Sequence, residues 1–128
     1  MSTQSSLVVL VLVVFITFPL LSVAGGHGVP AMADVVMKLQ HFPNDDQKAA
    51  LAKIADDSSY SVAEQQVATA IANMQHKVSA EDSERLAAIA ANESLHKSLR
   101  ALAKVVIGIN HMPSAEDKET LAKLSAAH

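Results

Sequence analysis

Cysteine is absent from the 128-residue chain, and so is tryptophan. Disulfides, thiolate metal sites and covalently attached c-type haem are therefore excluded. Aromatic residues amount to one Tyr and three Phe, and beyond residue 24 only Phe42 and Tyr60 remain. A core made with so few rings must come from Leu, Ile, Val, Met and Ala on closely packed helices. No Lys, Arg, Asp or Glu occurs in the first 24 residues. In the rest the signs are interspersed to a net charge of −3, without the basic stripe that nucleic-acid binding requires. A strand-turn-helix nucleophile elbow is also missing, and nothing in the pattern of Ser and His points to an enzyme.

What is present begins with an apolar run, Leu7 to Ala24, ending in Ser22-Val23-Ala24 with Pro19 a turn or two earlier. Small residues at the −3 and −1 positions ahead of Gly25 have the layout of a secretory signal peptide over residues 1–24. Met1 to Ser6 lacks the usual Lys or Arg. The alternative is an uncleaved single-pass anchor, since the run just reaches the ~17–25 residues that span a bilayer. Either way residues 25–128 are expected outside the cytoplasm, secreted or periplasmic.

That second part repeats itself. Gln40-His41-Phe42-Pro43-Asn44 returns as Gln75-His76-Lys77-Val78-Ser79 and again as Asn110-His111-Met112-Pro113-Ser114, each time 35 residues on without a gap. Leu51, Leu86 and Leu121 keep the same register, as do Ile54, Ile89 and Leu124, and Ala33, Ala68 and Ala103. A fixed period in the range of about 20–50 residues means stacked supersecondary units. The period is close to that of the tetratricopeptide repeat, about 34, but the Trp and the Gly-Tyr pairing of that family are missing.

Each unit reads as a long helix, a turn at the histidine and a shorter helix. Met32, Val36 and Leu39 share one helical face, matched by Val67, Ile71, Met74 and by Leu102, Val106, Ile109. The long helices are expected to close at His41, His76 and His111. Asn44, Ser79 and Ser114 are expected N-caps, with Gln47, Asp82 and Asp117 in the return position of a capping box, and Ser61 with Glu64 forms a fourth. The β-branched run Val105-Val106-Ile107 would suggest a strand by itself, yet the register places it in a helix and Gly108 in a solvent slot. The fold class is thus all-α: three stacked αα-hairpins, six helices, as a short solenoid or a compact bundle.

Two sets of residues carry metal chemistry. His41, His76 and His111 are first of all helix-end residues, where an imidazole suits the macrodipole. In an open stack the hairpins sit about 8–10 Å apart, too far for imidazoles to share one ion with Zn–N bonds of ~2.0–2.1 Å. A joint site requires a closed bundle with converging turns. Met74 and Met112 lie beside two of these histidines, as soft donors would. Gly25-Gly26-His27 is the second set. After cleavage behind Ala24 it resembles the amino-terminal copper- and nickel-binding motif of exported and serum proteins. Amine, two amides and imidazole then offer a square of four nitrogens for Cu(II) or Ni(II). Asn92-Glu93-Ser94 has the pattern of a glycosylation acceptor.

The expected function is a non-catalytic binding module with a protein or peptide partner, because repeat stacks present extended surfaces. It requires no cofactor. Copper or nickel handling by His27 is the alternative, and a membrane-tethered structural protein the third reading if Leu7–Ala24 is retained. Far-ultraviolet circular dichroism of residues 25–128 is expected to show helix with little strand; a substantial strand signal would refute the register.

Overall fold

The computed structural model describes residues 26–126. Residues 1–24, with the expected signal peptide, and Gly25 of the amino-terminal motif lie outside them. Six helices follow one another: α1 (Val29–Met37), α2 (Asp45–Ala55), α3 (Val62–Ala72), α4 (Ala80–Ala91), α5 (Lys97–Gly108) and α6 (Ala115–Ala126). No strand occurs among the described residues, and none of their helices is long and apolar enough to cross a membrane.

The helix starts follow from local chemistry. The Asn44 side chain accepts from the Gln47 amide at 2.8 Å, and the Gln47 side chain accepts from the Asn44 amide at 2.9 Å. Ser61 and Glu64 close the same box on α3, and Ser114 and Asp117 on α6. Each box satisfies two amides that a helix start leaves orphaned. On α4 only half forms. Ser79 accepts from the Asp82 amide at 3.1 Å, whereas the Asp82 carboxylate pairs with Arg85 at 3.4 Å. A guanidinium one turn on competes better for that carboxylate than the Ser79 amide does. The start of α5 escaped the sequence reading: His96 caps it, its Nδ1 accepting from the Ser98 amide at 3.2 Å.

The apolar faces are buried as their spacing demands. Met32, Val36, Val67, Ile71, Leu102, Val106, Leu51, Leu86 and Leu121 have no solvent-accessible surface, nor do Ala33, Ala68 and Ala103. Ala-sized residues in those three slots let helix backbones approach each other, which compensates for the missing rings. Leu124 is only partly buried near the chain end. A Cβ at Gly108 would meet nothing within 4 Å, in keeping with its expected solvent slot.

Two expectations fail. Helices α1 and α3 stop at Met37 and Ala72, short of the histidines, so long and short helices do not alternate. The helices that pack most closely are also not those joined by the histidine turns. α2 lies on α3, α4 on α5, and α6 returns to α1, while α1, α3 and α5 touch one another at the centre. The contact of α6 with α1 closes the ring, which an open solenoid would leave apart. Each turn leaves the end of an inner helix and delivers the next helix to its neighbour.

Leu86 packs on all sides, and Ser79 serves one helix end. Leu86→Ala is expected to cost about 2–5 kcal/mol and Ser79→Ala about 0.5–2 kcal/mol in chemical denaturation. Equal, small effects would contradict the burial of Leu86 in the core.

Candidate metal centre

The inner helices α1, α3 and α5 all run toward the same end of the bundle, where their turns meet. His41, His76 and His111 are the only non-glycine residues with positive φ among the described residues, at 65°, 66° and 69°. In each turn the residue after the histidine donates to the residue before it. Phe42 N–H reaches the Gln40 carbonyl at 2.7 Å, Lys77 reaches Gln75 at 2.7 Å, and Met112 reaches Asn110 at 2.9 Å. These are three-residue γ-turns of the positive-φ kind, rare and strained for a side chain with a Cβ. The histidines therefore lie outside the helices. A helix-end role in the macrodipole does not apply to them.

The turns are tied to one another through their central residues. His76 N–H donates to the His41 carbonyl at 2.7 Å, His111 N–H to the His76 carbonyl at 2.7 Å, and His41 N–H to the His111 carbonyl at 2.8 Å. Three amides and three carbonyls thus form a closed ring at the end of the bundle. Strain repeated at three positions persists only where the surroundings over-determine it, and such strain gathers at functional sites.

The ring of backbone bonds brings the three imidazoles together. Their centroids are 4.8–5.4 Å apart, with planes inclined at 70–75°. One ligand nitrogen from each lies within 4.8 Å of the others, and all three side chains are exposed. Nδ1 of His76 and Nδ1 of His111 are 2.9 Å apart, so one donates a proton and the other accepts it. These three histidines are close enough to hold a metal ion. A tetrahedral ion bound at ~2.0–2.1 Å needs nitrogens about 3.3 Å apart, which exposed rings reach by rotating about their side-chain bonds. Below the rings the residues two before and two after each histidine are buried: Leu39, Met74 and Ile109, and Pro43, Val78 and Pro113. Burial places Met74 in the core, away from ligand duty, while Met112 remains half exposed.

The opposite end holds the other sequence candidate. His27 stacks on Tyr60 with centroids 4.5 Å apart, and its Nδ1 is 4.0 Å from Glu64 Oε1. It is distant in the fold from the three histidines and joins no group of potential ligands among the described residues. Glu64, by its spacing from Ser61 a capping residue, is also completely buried. Its carboxylate accepts from the Gly28 amide at 2.8 Å, from the Ser61 amide at 2.9 Å and from the Ser61 hydroxyl at 3.1 Å. It clasps the start of α1 to the start of α3 in the register slot that Val29 and Leu99 fill elsewhere. That departure from the apolar slot was the one available sign of it. Nearby, the Ser59 amide and hydroxyl, with His27 in the vicinity, hold the exposed Asp57 carboxyl below its ordinary value. Asn92 Oδ1 accepts from the amide and hydroxyl of Ser94 in an exposed turn.

No known protein family, curated protein or solved structure matches this chain.

If φ at the histidines is strained, glycine relieves what alanine retains. His76→Gly is expected to be about 1 kcal/mol more stable than His76→Ala, against the usual order for these residues. Thermal and chemical unfolding of the two variants decide it; a more stable alanine variant would remove strain from the account.

Proposed function

We propose that this protein is an exported helical-repeat protein that binds one divalent transition-metal ion through His41, His76 and His111. The observation that carries the proposal is the convergence of three imidazoles on three strained turns, locked by a ring of backbone bonds. With the backbone of the three turns already held together, only the rings must rotate, which lowers the cost of taking up the ion. In the metal-bound state the ion replaces the proton between His76 and His111. Imidazole donors suit Zn(II), Cu(II) and Ni(II), with copper bound most tightly in the general order.

The wider reading is that three copies of one 35-residue unit build the domain, and that residues 1–24 direct it to the periplasm or the cell exterior. A protein partner would meet the outer helices, and a membrane role follows only if Leu7–Ala24 stays attached. A second metal reading keeps Gly25, Gly26 and His27 as a Cu(II) or Ni(II) site on a chain beginning at Gly25. The 61% exposure of the His27 side chain favours it, although the ring must leave Tyr60 and the vicinity of Glu64 to close the four-nitrogen square.

Zn(II) is expected to bind with one equivalent per chain, measured by competition with a chromogenic chelator. At free zinc of about 100 times Kd it should stabilise the fold by about 2.7 kcal/mol. Uptake should fall on acidification, because each ligand must be free of its proton. Any one of His41→Ala, His76→Ala or His111→Ala is expected to weaken it severely, and His27→Ala to leave it unchanged. Zinc uptake that survives the triple change, or depends on His27, would refute the proposal.

A further inference from the structure

Three protein ligands leave the fourth position of a tetrahedral ion unfilled, and the surroundings decide what fills it. Among the described residues no carboxylate joins the three histidines as a ligand. All three rings are exposed, while Pro43, Val78 and Pro113 are buried on the side of the core. The open position therefore faces solvent. Three neutral imidazoles leave the full double charge of zinc to act on a water molecule there, which is the donor set that brings zinc-bound water into the near-neutral range.

A groove that reaches His76 gives a reactant somewhere to lie. It runs between α2 and the end of α3 and is lined by Phe42, Lys48, Asn73, Gln75 and His76. It shares His76 with the candidate centre. Phe42 is 57% exposed, an uncommon placement for one of the two rings beyond residue 24. Lys48 supplies a positive charge, and no ion pair engages it among the described residues. An apolar ring and a free ammonium beside a Lewis-acid position suit a small ester that carries a carboxylate.

We infer that the zinc-loaded histidine centre hydrolyses small esters, and that the groove with Phe42 and Lys48 favours anionic ones. This inference rests on the metal reading above. In the reaction a water held at the open position gives one proton to solvent, and the resulting hydroxide adds to the ester carbonyl carbon. The bond from that carbon to the alcohol oxygen then breaks. The alcohol leaves as its anion or takes a proton from water, the acid gives the remaining proton of the attacking water to solvent and leaves as a carboxylate, and a new water enters. No oxidant or reductant takes part.

The test uses the full chain, zinc chloride and two chromogenic esters, neutral 4-nitrophenyl acetate and anionic mono-4-nitrophenyl succinate. The zinc-loaded chain is expected to hydrolyse both at least tenfold faster than the zinc-free chain or the same free zinc. Its rate should rise with pH through one deprotonation between about 7 and 9, the range from enzyme-held to aqueous zinc-bound water. His76→Ala should remove the zinc-dependent rate. Lys48→Ala should lower the ratio of kcat/KM for succinate over acetate about five- to tenfold. Stoichiometric zinc uptake with no rate above free zinc would overturn the hydrolytic inference and leave the metal site standing. Failure to take up zinc would overturn both. A fast rate that needs no zinc would assign the chemistry to an imidazole nucleophile and overturn the inference as well. An unchanged ratio in Lys48→Ala would overturn the preference for anionic esters.

Discussion

The ring of hydrogen bonds among the backbones of His41, His76 and His111 is the constraint on which the rest of the structure depends. Each of these residues donates its amide to one neighbour and offers its carbonyl to the other. Burial of the residues on either side, from Leu39, Met74 and Ile109 to Pro43, Val78 and Pro113, keeps the three turns at the bundle end. The positive φ at the three histidines is the conformational cost of reversing the chain there. Packing of the inner helices offsets it, since the turns can meet only when α1, α3 and α5 touch.

From that ring the helix order follows. A chain that leaves each inner helix through a tight turn at the axis cannot fold straight back along the same helix. It crosses to the neighbour, so α2 lies on α3 and α4 on α5, and α6 closes on α1. The two ends of the bundle acquire different chemistry as a result. At one end three identical side chains point from equivalent backbone positions. At the other the starts of α1 and α3 are held by a single buried carboxylate, Glu64, whose charge is met by two amides and a hydroxyl. A buried carboxylate with that many donors is an alternative to the apolar packing of Val29 and Leu99 in the matching slots.

Side-chain contacts separate the two ends further. The imidazoles of the histidine cluster are exposed, while the residues two before and two after each of them are buried. His27 lies against Tyr60 beside Glu64, and its stacking contact must be given up for any chelate with the residues before it. The three histidines already lie together and need only ring rotations to approach a common ion, whereas His27 must first leave Tyr60, which is why the first set carries the functional reading.

Much was legible in the sequence because it depends on near neighbours. Spacing of Met32, Val36 and Leu39, and of their counterparts, defines helical faces through a period of 3.6 residues. The caps at Asn44, Ser61 and Ser114 act over three residues. The 35-residue register located the three histidines and showed that they occupy equivalent positions. It could not show whether equivalent positions meet. Helix ends near the histidines were misplaced, because a histidine at positive φ leaves no mark in a hydrophobic pattern, and the half-formed box at Ser79 depended on a competing Arg85. Sequence by itself determined an all-helical chain with three matched turns. Only the tertiary structure decided that the bundle closes, since closure is the sum of contacts such as α6 on α1 between residues far apart in the chain. That closure, through the hydrogen bonds it permits across 35 and 70 residues, turns three separate histidines into one cluster.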